Sequence, residues 1–149
     1  MSVDVATGEV REDEQTDIAL VPLHIAELDE NELLAMFPTP VQCAGALLIA
    51  RERIANAPAA LEKLGTAVRD AKRSLLVTRA KARIRFRGEG WGISDAKELA
   101  DADADVIAAV EKVDETELAL EYGRDLRRTL TTEIDILRSL NANMRTEHR

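Results

Sequence analysis

A dense run of basic side chains is the part of this sequence best suited to binding a partner. Eight basic residues fall between residues 69 and 87, and Asp70 is the only acid among them: Arg69, Lys72, Arg73, Arg79, Lys81, Arg83, Arg85 and Arg87. Such a row of charges suits phosphates spaced along a nucleic-acid backbone, because each neutralised phosphate releases counterions. Phe86 and Trp91, at the end of the row, could stack on unpaired nucleobases. The segment therefore predicts a site for single-stranded nucleic acid.

A second interpretation of the same residues is structural. The net charge of the chain is −8, and it is segregated: residues 51–87 carry eleven basic and three acidic side chains, whereas residues 88–149 carry fifteen acidic and eight basic ones. A basic helix in this setting could pair with acidic helices, within one chain or between subunits. Trp91 could likewise close the end of a helical hairpin and not stack on a nucleobase. Both interpretations stay open at the level of the sequence.

Enzymatic chemistry has little support in the remaining residues. His24 lies beside an acidic N-terminal segment and His148 is the penultimate residue, so neither is held by a scaffold as a general base needs to be. The glycines of residues 88–92 are not followed by the Lys and Ser or Thr of a phosphate-binding loop. We therefore expect no enzymatic activity and no cofactor.

Two further features resemble sites but have structural interpretations. The alternating Asp101, Asp103 and Asp105 lack the turn glycine and terminal Glu of a calcium loop, so a local break in the helix or a solvated helix face is expected instead of a metal site. The single cysteine, Cys43, lies among apolar neighbours, which predicts a buried, inert thiol.

The elements that must position the basic row are helices. Residues 58–86 carry an apolar stripe at alternating spacings of three and four, which is a coiled-coil-like seam. The stripe consists of Leu61, Leu64, Val68, Ala71, Leu75, Thr78 and Ala82. Three glycines in residues 87–93 predict a hinge, and helices are expected over residues 94–145, the first with Ser94 as its N-cap. A second apolar stripe, suited to assembly, follows Leu126, Leu130, Ile134, Leu137, Leu140 and Met144.

The remaining sequence completes an all-α prediction. Residues 1–27 are interpreted as a flexible acidic tail and residues 28–149 as a single helical domain. Within that domain, a short helix is expected over residues 28–37 and another over residues 40–56, the latter capped by Thr39. We expect an elongated helical hairpin or bundle that assembles through coiled-coil-like seams. The longest apolar run, Val41–Ala50, is about half of a bilayer span, and the N-terminus lacks a secretory signal, so a cytoplasmic protein is expected.

Residues Val68 to Arg145 resemble the UvsY family of bacteriophage recombination mediators. The similarity consists of a basic helix with Lys81-Ala82-Arg83, the Gly-rich Arg87-Gly88-Glu89-Gly90, an Ala/Asp run, and Tyr122 thirteen residues before Asp135. The closing Met144-Arg145 also fits. The Trp91 loop and the spacing between Val106 and Tyr122 depart from the family pattern.

The resemblance implies a small helical homo-oligomer in the cytoplasm of an infected bacterial host. It would bind single-stranded DNA and help a RecA-like recombinase displace single-strand-binding protein. Lys81 and Arg83 match the family's DNA-contacting positions, and the other basic residues of the helix would support them. The alternative is a phage structural or assembly protein, such as a connector, scaffold or chaperone, whose basic helix docks on an acidic protein surface.

Overall fold

The computed structural model describes residues 21–147, and this part of the chain is all-α, as predicted. It has no strand in that range. Five helices follow one another: α1 (Glu30–Met36), α2 (Pro40–Ala55), α3 (Ala57–Gly88), α4 (Ile93–Asp101) and α5 (Ala104–Glu147). The basic helix and the glycine break that follows it are therefore close to their predicted positions.

Local chemistry explains where most of these helices begin. The side chain of Asp29 accepts a hydrogen bond from the N–H of Glu32 at 2.8 Å and caps α1. Thr39 caps α2 through the N–H of Gln42 at 3.3 Å, and Pro40 occupies the first turn, where its missing N–H costs nothing. The predicted cap at Thr39 is confirmed.

The start of α4 differs from the prediction. Ser94 was expected to be its N-cap, but α4 begins at Ile93, and Gly92 is the capping residue with no side-chain hydrogen bond. Ser94 therefore lies inside the first turn. The prediction was wrong because Gly92 already has the extended backbone that a cap requires, one residue before the expected helix.

The expected single domain divides into two compact units. One unit comprises the described residues up to Leu61 together with those from Gly123 onward, and the other comprises Glu62–Tyr122. The core of the first unit is built from α1, α2 and the C-terminal part of α5. Its buried members are Ile25, Leu33, Cys43, Ala46, Leu47, Ala50, Ile134, Leu137, Leu140 and Met144.

The apolar stripe near the C-terminus is used within this core. Ile134, Leu137, Leu140 and Met144 are all buried against other residues of the same unit. The stripe was predicted correctly. These side chains cannot contact a second copy, because they are already covered by their own chain.

Cys43 is buried in the same core. Its Sγ donates to the Leu137 carbonyl at 3.4 Å, and burial raises the pKa of the thiol.

The packed region begins earlier than the predicted boundary at residue 28. The N–H of Leu23 donates to Oε1 of Glu133 at 2.8 Å, and the N–H of Ile25 donates to Oε2 at 3.2 Å. Glu133 and Ile25 are both fully buried. Residues 23–25 are therefore part of the first unit and not of a flexible tail, whereas residues 1–20 of the predicted tail lie outside the described residues.

The second unit confirms the seam of α3. Val68, Ala71 and Ala82 are buried, and Ala82 packs in a cluster with Ala100 of α4 and Val106 of α5. Leu75 and Phe86 pack against that cluster as half-buried residues. The stripe therefore holds α3 to helices of the same chain.

Hydropathy gives little indication of a bilayer span. Across residues 21–147, no single helix is long and apolar enough to cross a membrane. By length and composition alone, α1 together with the continuous stretch Pro40–Gly88 passes the same test, with a bend of 94° between them.

Candidate nucleic-acid interface

The basic residues are presented by one unbroken helix that ends at a defined turn. Gly90 has φ +100°, a left-handed conformation that L side chains rarely adopt. The N–H of Gly90 donates to the Arg87 carbonyl at 3.0 Å, and the N–H of Trp91 donates to the Phe86 carbonyl at 3.2 Å. This pair of bonds is the Schellman pattern, which satisfies the last carbonyls of a helix. The turn therefore ends the basic row at Arg87.

Three of the predicted DNA-binding residues are paired with acids of α4, of α5 and of the break between them. Lys72 lies 3.1 Å from Glu117, Arg79 lies 3.3 Å from Asp101, and Arg85 is hydrogen-bonded to Asp103. These side chains flank the seam, where a neighbouring helix is within reach of long side chains. Each such exposed pair contributes about 0–1 kcal/mol, so their main effect is to neutralise charge locally. The structural interpretation of the sequence therefore holds for these three residues.

Asp103 has two roles at the start of α5. Besides its bond to Arg85, it accepts the N–H of Asp105 at 3.2 Å, as a helix N-cap does. The hydrogen bond from the Arg85 guanidinium lowers the pKa of the Asp103 carboxyl, and its charge and the backbone N–H bonds act in the same direction. The Asp run is thus a break between two helices, and no group of three potential metal ligands occurs within residues 21–147.

This lowered pKa predicts a specific acid sensitivity. A group with a lowered folded-state pKa contributes stability above its unfolded pKa, about 3.9 for Asp, and that contribution is lost as the pH falls through the folded-state value. In urea unfolding followed by circular dichroism, the Asp103→Asn variant should therefore lose less stability than the wild type between about pH 5 and pH 2. Asp135→Asn, the same change at an exposed acid of α5, is the control for the loss of one carboxyl group. Parallel pH curves for wild type and Asp103→Asn would refute the linkage.

Two predicted residues, Arg73 and Lys81, are exposed and have no ion pair or hydrogen bond in the described part of the chain. Within the described residues, Arg87 donates only to the carbonyl of Trp91, at 3.2 Å, and Arg69 donates only to the hydroxyl of Thr66, at 3.0 Å. Because their partners are neutral, these two guanidinium groups keep their full positive charge. We call Arg69, Arg73, Lys81 and Arg87 the exposed basic set of α3. They are exposed, and none of them is paired with an acid within residues 21–147.

The structure does not bring Lys81 and Arg83 together. Residues two apart on a helix point in directions about 200° apart, so they cannot form one contact surface. Lys81 is exposed, whereas Arg83 is half-buried and its Nε is buried without a hydrogen-bond partner. The two residues that match the family's DNA-contacting positions therefore differ in exposure.

The two aromatic candidates, Phe86 and Trp91, differ in their exposure to solvent. Phe86 packs against the Ala82 cluster, and the Arg85 guanidinium lies 4.9 Å from its ring centroid, so Phe86 is a packing residue and not an open stacking platform. Trp91 is 47% exposed in the turn after α3. Of the two, only Trp91 presents a ring to solvent that an unpaired nucleobase could stack on.

The outer surface of α3 also carries apolar side chains that the sequence interpretation missed. Leu76, Val77 and Ile84 are large, aliphatic and exposed, and Ile84 reaches 72%. The signal was present in the sequence, since Val77, Ala80 and Ile84 follow the same spacing of three and four as the buried seam. The outer surface of α3 is therefore a mixture of basic and aliphatic side chains.

A groove beside Lys81 is a less suitable place for phosphates. Ser74, Thr78 and Lys81 line one side of it, and Asp103 and Asp105 line the other. Carboxylates in the lining of the groove repel a phosphate, so a nucleic-acid strand is better accommodated on the exposed side of α3.

Comparison of the chain with protein families, with characterised proteins and with solved structures gives no match.

Proposed function

We propose that this chain binds single-stranded DNA through the exposed basic set of α3 and acts as a recombination mediator for a RecA-like recombinase. The supporting observation is that Arg73 and Lys81 are exposed and unpaired within residues 21–147, while neighbouring basic residues are neutralised by acids. The mediator role rests on the resemblance of residues 68–145 to the UvsY family. In that role the protein would also contact a single-strand-binding protein, with no enzymatic step of its own.

The spacing of the exposed basic set suits an extended strand. Arg69 and Arg87 are eighteen residues apart, which corresponds to about 27 Å along a helix. Arg69, Arg73 and Arg87 lie on one side, and Lys81 lies about 80° round the helix from Arg73. A flexible single strand can follow such a row through its phosphates, with Trp91 available for one nucleobase. Binding of this kind is independent of sequence.

The small number of free charges predicts weak binding by one chain. Contact with about four phosphates gives a slope near −3 for the logarithm of affinity against the logarithm of salt concentration. Several copies on one strand would raise the apparent affinity, because each further contact becomes intramolecular. A mediator benefits from this property, since a weakly held strand can be passed on to a recombinase.

The test compares two double variants that remove the same charge. In fluorescence anisotropy with labelled oligothymidine, Arg73→Ala with Lys81→Ala should reduce the salt slope by about half and weaken binding at low salt, because two of about four phosphate contacts are lost. Lys72→Ala with Arg79→Ala is the matched control, since these residues are already paired with Glu117 and Asp101. The control should keep the wild-type salt slope.

Equal losses in the two double variants would mean that net charge alone is responsible, and the proposed site would be wrong. No binding of oligothymidine by the wild type at low salt would overturn DNA binding itself. Arg83 is left intact in both variants, because its half-buried side chain would confuse a loss of packing with a loss of contact.

Protein docking is the second candidate function, and one observation favours it. Leu76, Val77 and Ile84 are exposed among the basic residues of α3, and aliphatic side chains contribute little to phosphate binding. A basic and apolar helix face is typical of a surface that takes an acidic amphipathic partner.

A further inference from the structure

The outer face of α3 is amphipathic in its own right. We define it by Arg73, Leu76, Val77, Ile84 and Arg87, all of which are exposed. At about 100° per residue these side chains fall within about 100° of the helix circumference, on the side away from the buried seam. The face extends about 21 Å from Arg73 to Arg87. It is positively charged and centred on aliphatic side chains.

A face of opposite charge is present on α5. We define the acidic face of α5 by Ile107, Glu111, Asp114, Leu118, Glu121 and Tyr122, which are also all exposed. These residues likewise occupy about 100° of the circumference, and they extend about 23 Å. Val106, Val113 and Thr116, which are buried, point to the other side of the helix. None of the three acids has an ion pair in the part of the chain that is described.

The two faces are complementary in length, apolar content and charge. Each presents large apolar side chains: Leu76, Val77 and Ile84 on α3, and Ile107, Leu118 and Tyr122 on α5. Each also presents unneutralised charge, basic on α3 and acidic on α5. Burying the apolar side chains against one another would release water, while the flanking charges would set partner choice and orientation.

We propose that a second copy of this chain docks the acidic face of its α5 onto the outer face of α3. The complementary surface is part of the same sequence, so every copy supplies both halves of the contact. Within one chain the two faces cannot meet, because α3 and α5 pack together in the second unit through their opposite, buried sides. The contact is therefore between copies.

The proposed contact joins two different surfaces and is therefore heterologous. A bound pair leaves one outer face and one acidic face free. Further copies can therefore add at both ends, which gives either a closed ring or a filament. Salt should weaken it, because part of the attraction is between exposed charges. The contact would also cover Arg73 and Arg87, so single-stranded DNA and a second copy would compete for this part of α3.

The experiment uses sedimentation velocity of the full chain in the absence of DNA. The wild type should form larger species as concentration rises at low salt and fewer of them at high salt. Ile84→Glu places an acid in the outer face, and Leu118→Lys places a base in the acidic face. Each single variant should associate about tenfold or more weakly than the wild type, because like charges meet in its one altered face.

A mixture of the two variants is the decisive measurement. Ile84→Glu retains an intact acidic face, and Leu118→Lys retains an intact outer face, so the mixture should regain the association that neither variant shows alone. Val41→Glu is the matched control, since Val41 is 81% exposed on α2 and belongs to neither face. It should associate like the wild type.

A wild type that stays monomeric at low salt and millimolar concentration would overturn the proposal. So would a mixture that remains monomeric while both single variants keep the wild-type circular dichroism spectrum. Because no DNA is present, these outcomes are independent of the proposed DNA binding. Loss of oligothymidine binding with intact self-association would contradict the proposed function alone.

Discussion

Replacing Leu137 by alanine should lower the free energy of unfolding by about 2–5 kcal/mol. Leu137 lies on α5 and is fully buried in the core that this helix forms with α1 and α2, so the shorter side chain leaves a cavity. The loss is measured by urea denaturation followed by far-ultraviolet circular dichroism.

The control for this prediction is the same chemical change at an exposed position. Leu48→Ala, on α2, where the side chain is 66% exposed, should change the free energy of unfolding by less than about 0.5 kcal/mol. Equal effects of the two substitutions would show that Leu137 is not in a packed core.

Replacing Glu133 by glutamine should detach the segment that contains Leu23 and Ile25. The carboxylate accepts both N–H groups, whereas an amide offers one oxygen and turns N–H donors toward the second backbone N–H. An unsatisfied buried donor costs about 1–3 kcal/mol. Native-state hydrogen exchange should show the loss of protection at the amides of Leu23 and Ile25.

Asp135→Asn is the matched control for this second prediction. It makes the same carboxyl-to-amide change two residues away on α5, at an exposed side chain. The exchange rates of Leu23 and Ile25 should then equal those of the wild type. If Glu133→Gln also leaves these rates unchanged, Glu133 does not hold the segment.

The helices were predictable from the sequence, because apolar residues at spacings of three and four mark the buried side of a helix. The seam from Leu64 to Ala82 and the stripe from Leu130 to Met144 both recur at three and four residues, and both are buried or half-buried as expected. The cap at Thr39 was predictable for a similar reason, since its partner Gln42 is three residues away.

The errors concern contacts between residues that are far apart in the sequence. Residues 23–25 lie in an acidic region, and their packing depends on Glu133, which is more than one hundred positions away. The pairing of Arg79 with Asp101, and of Arg85 with Asp103, depends on how α3 lies against α4 and α5. No local pattern encodes that arrangement.

The candidate site was predictable in location but not in composition. The charge density of residues 69–87 identified α3, and helix geometry alone separates Lys81 from Arg83. The division into paired and unpaired basic residues required the neighbouring helices. The exposed Ile84 was missed because the basic residues around it dominated the interpretation of that surface.

The bond between Leu23 and Glu133 has a consequence for biosynthesis. The two residues are 110 positions apart, and a ribosome adds about 5–20 residues per second. Leu23 is therefore added to the chain about 5–20 s before Glu133. During that interval Ile25 and the apolar side of α2 lack the C-terminal half of their core. The nascent chain would then depend on a chaperone to keep that surface covered until Glu133 and the buried residues after it have been made.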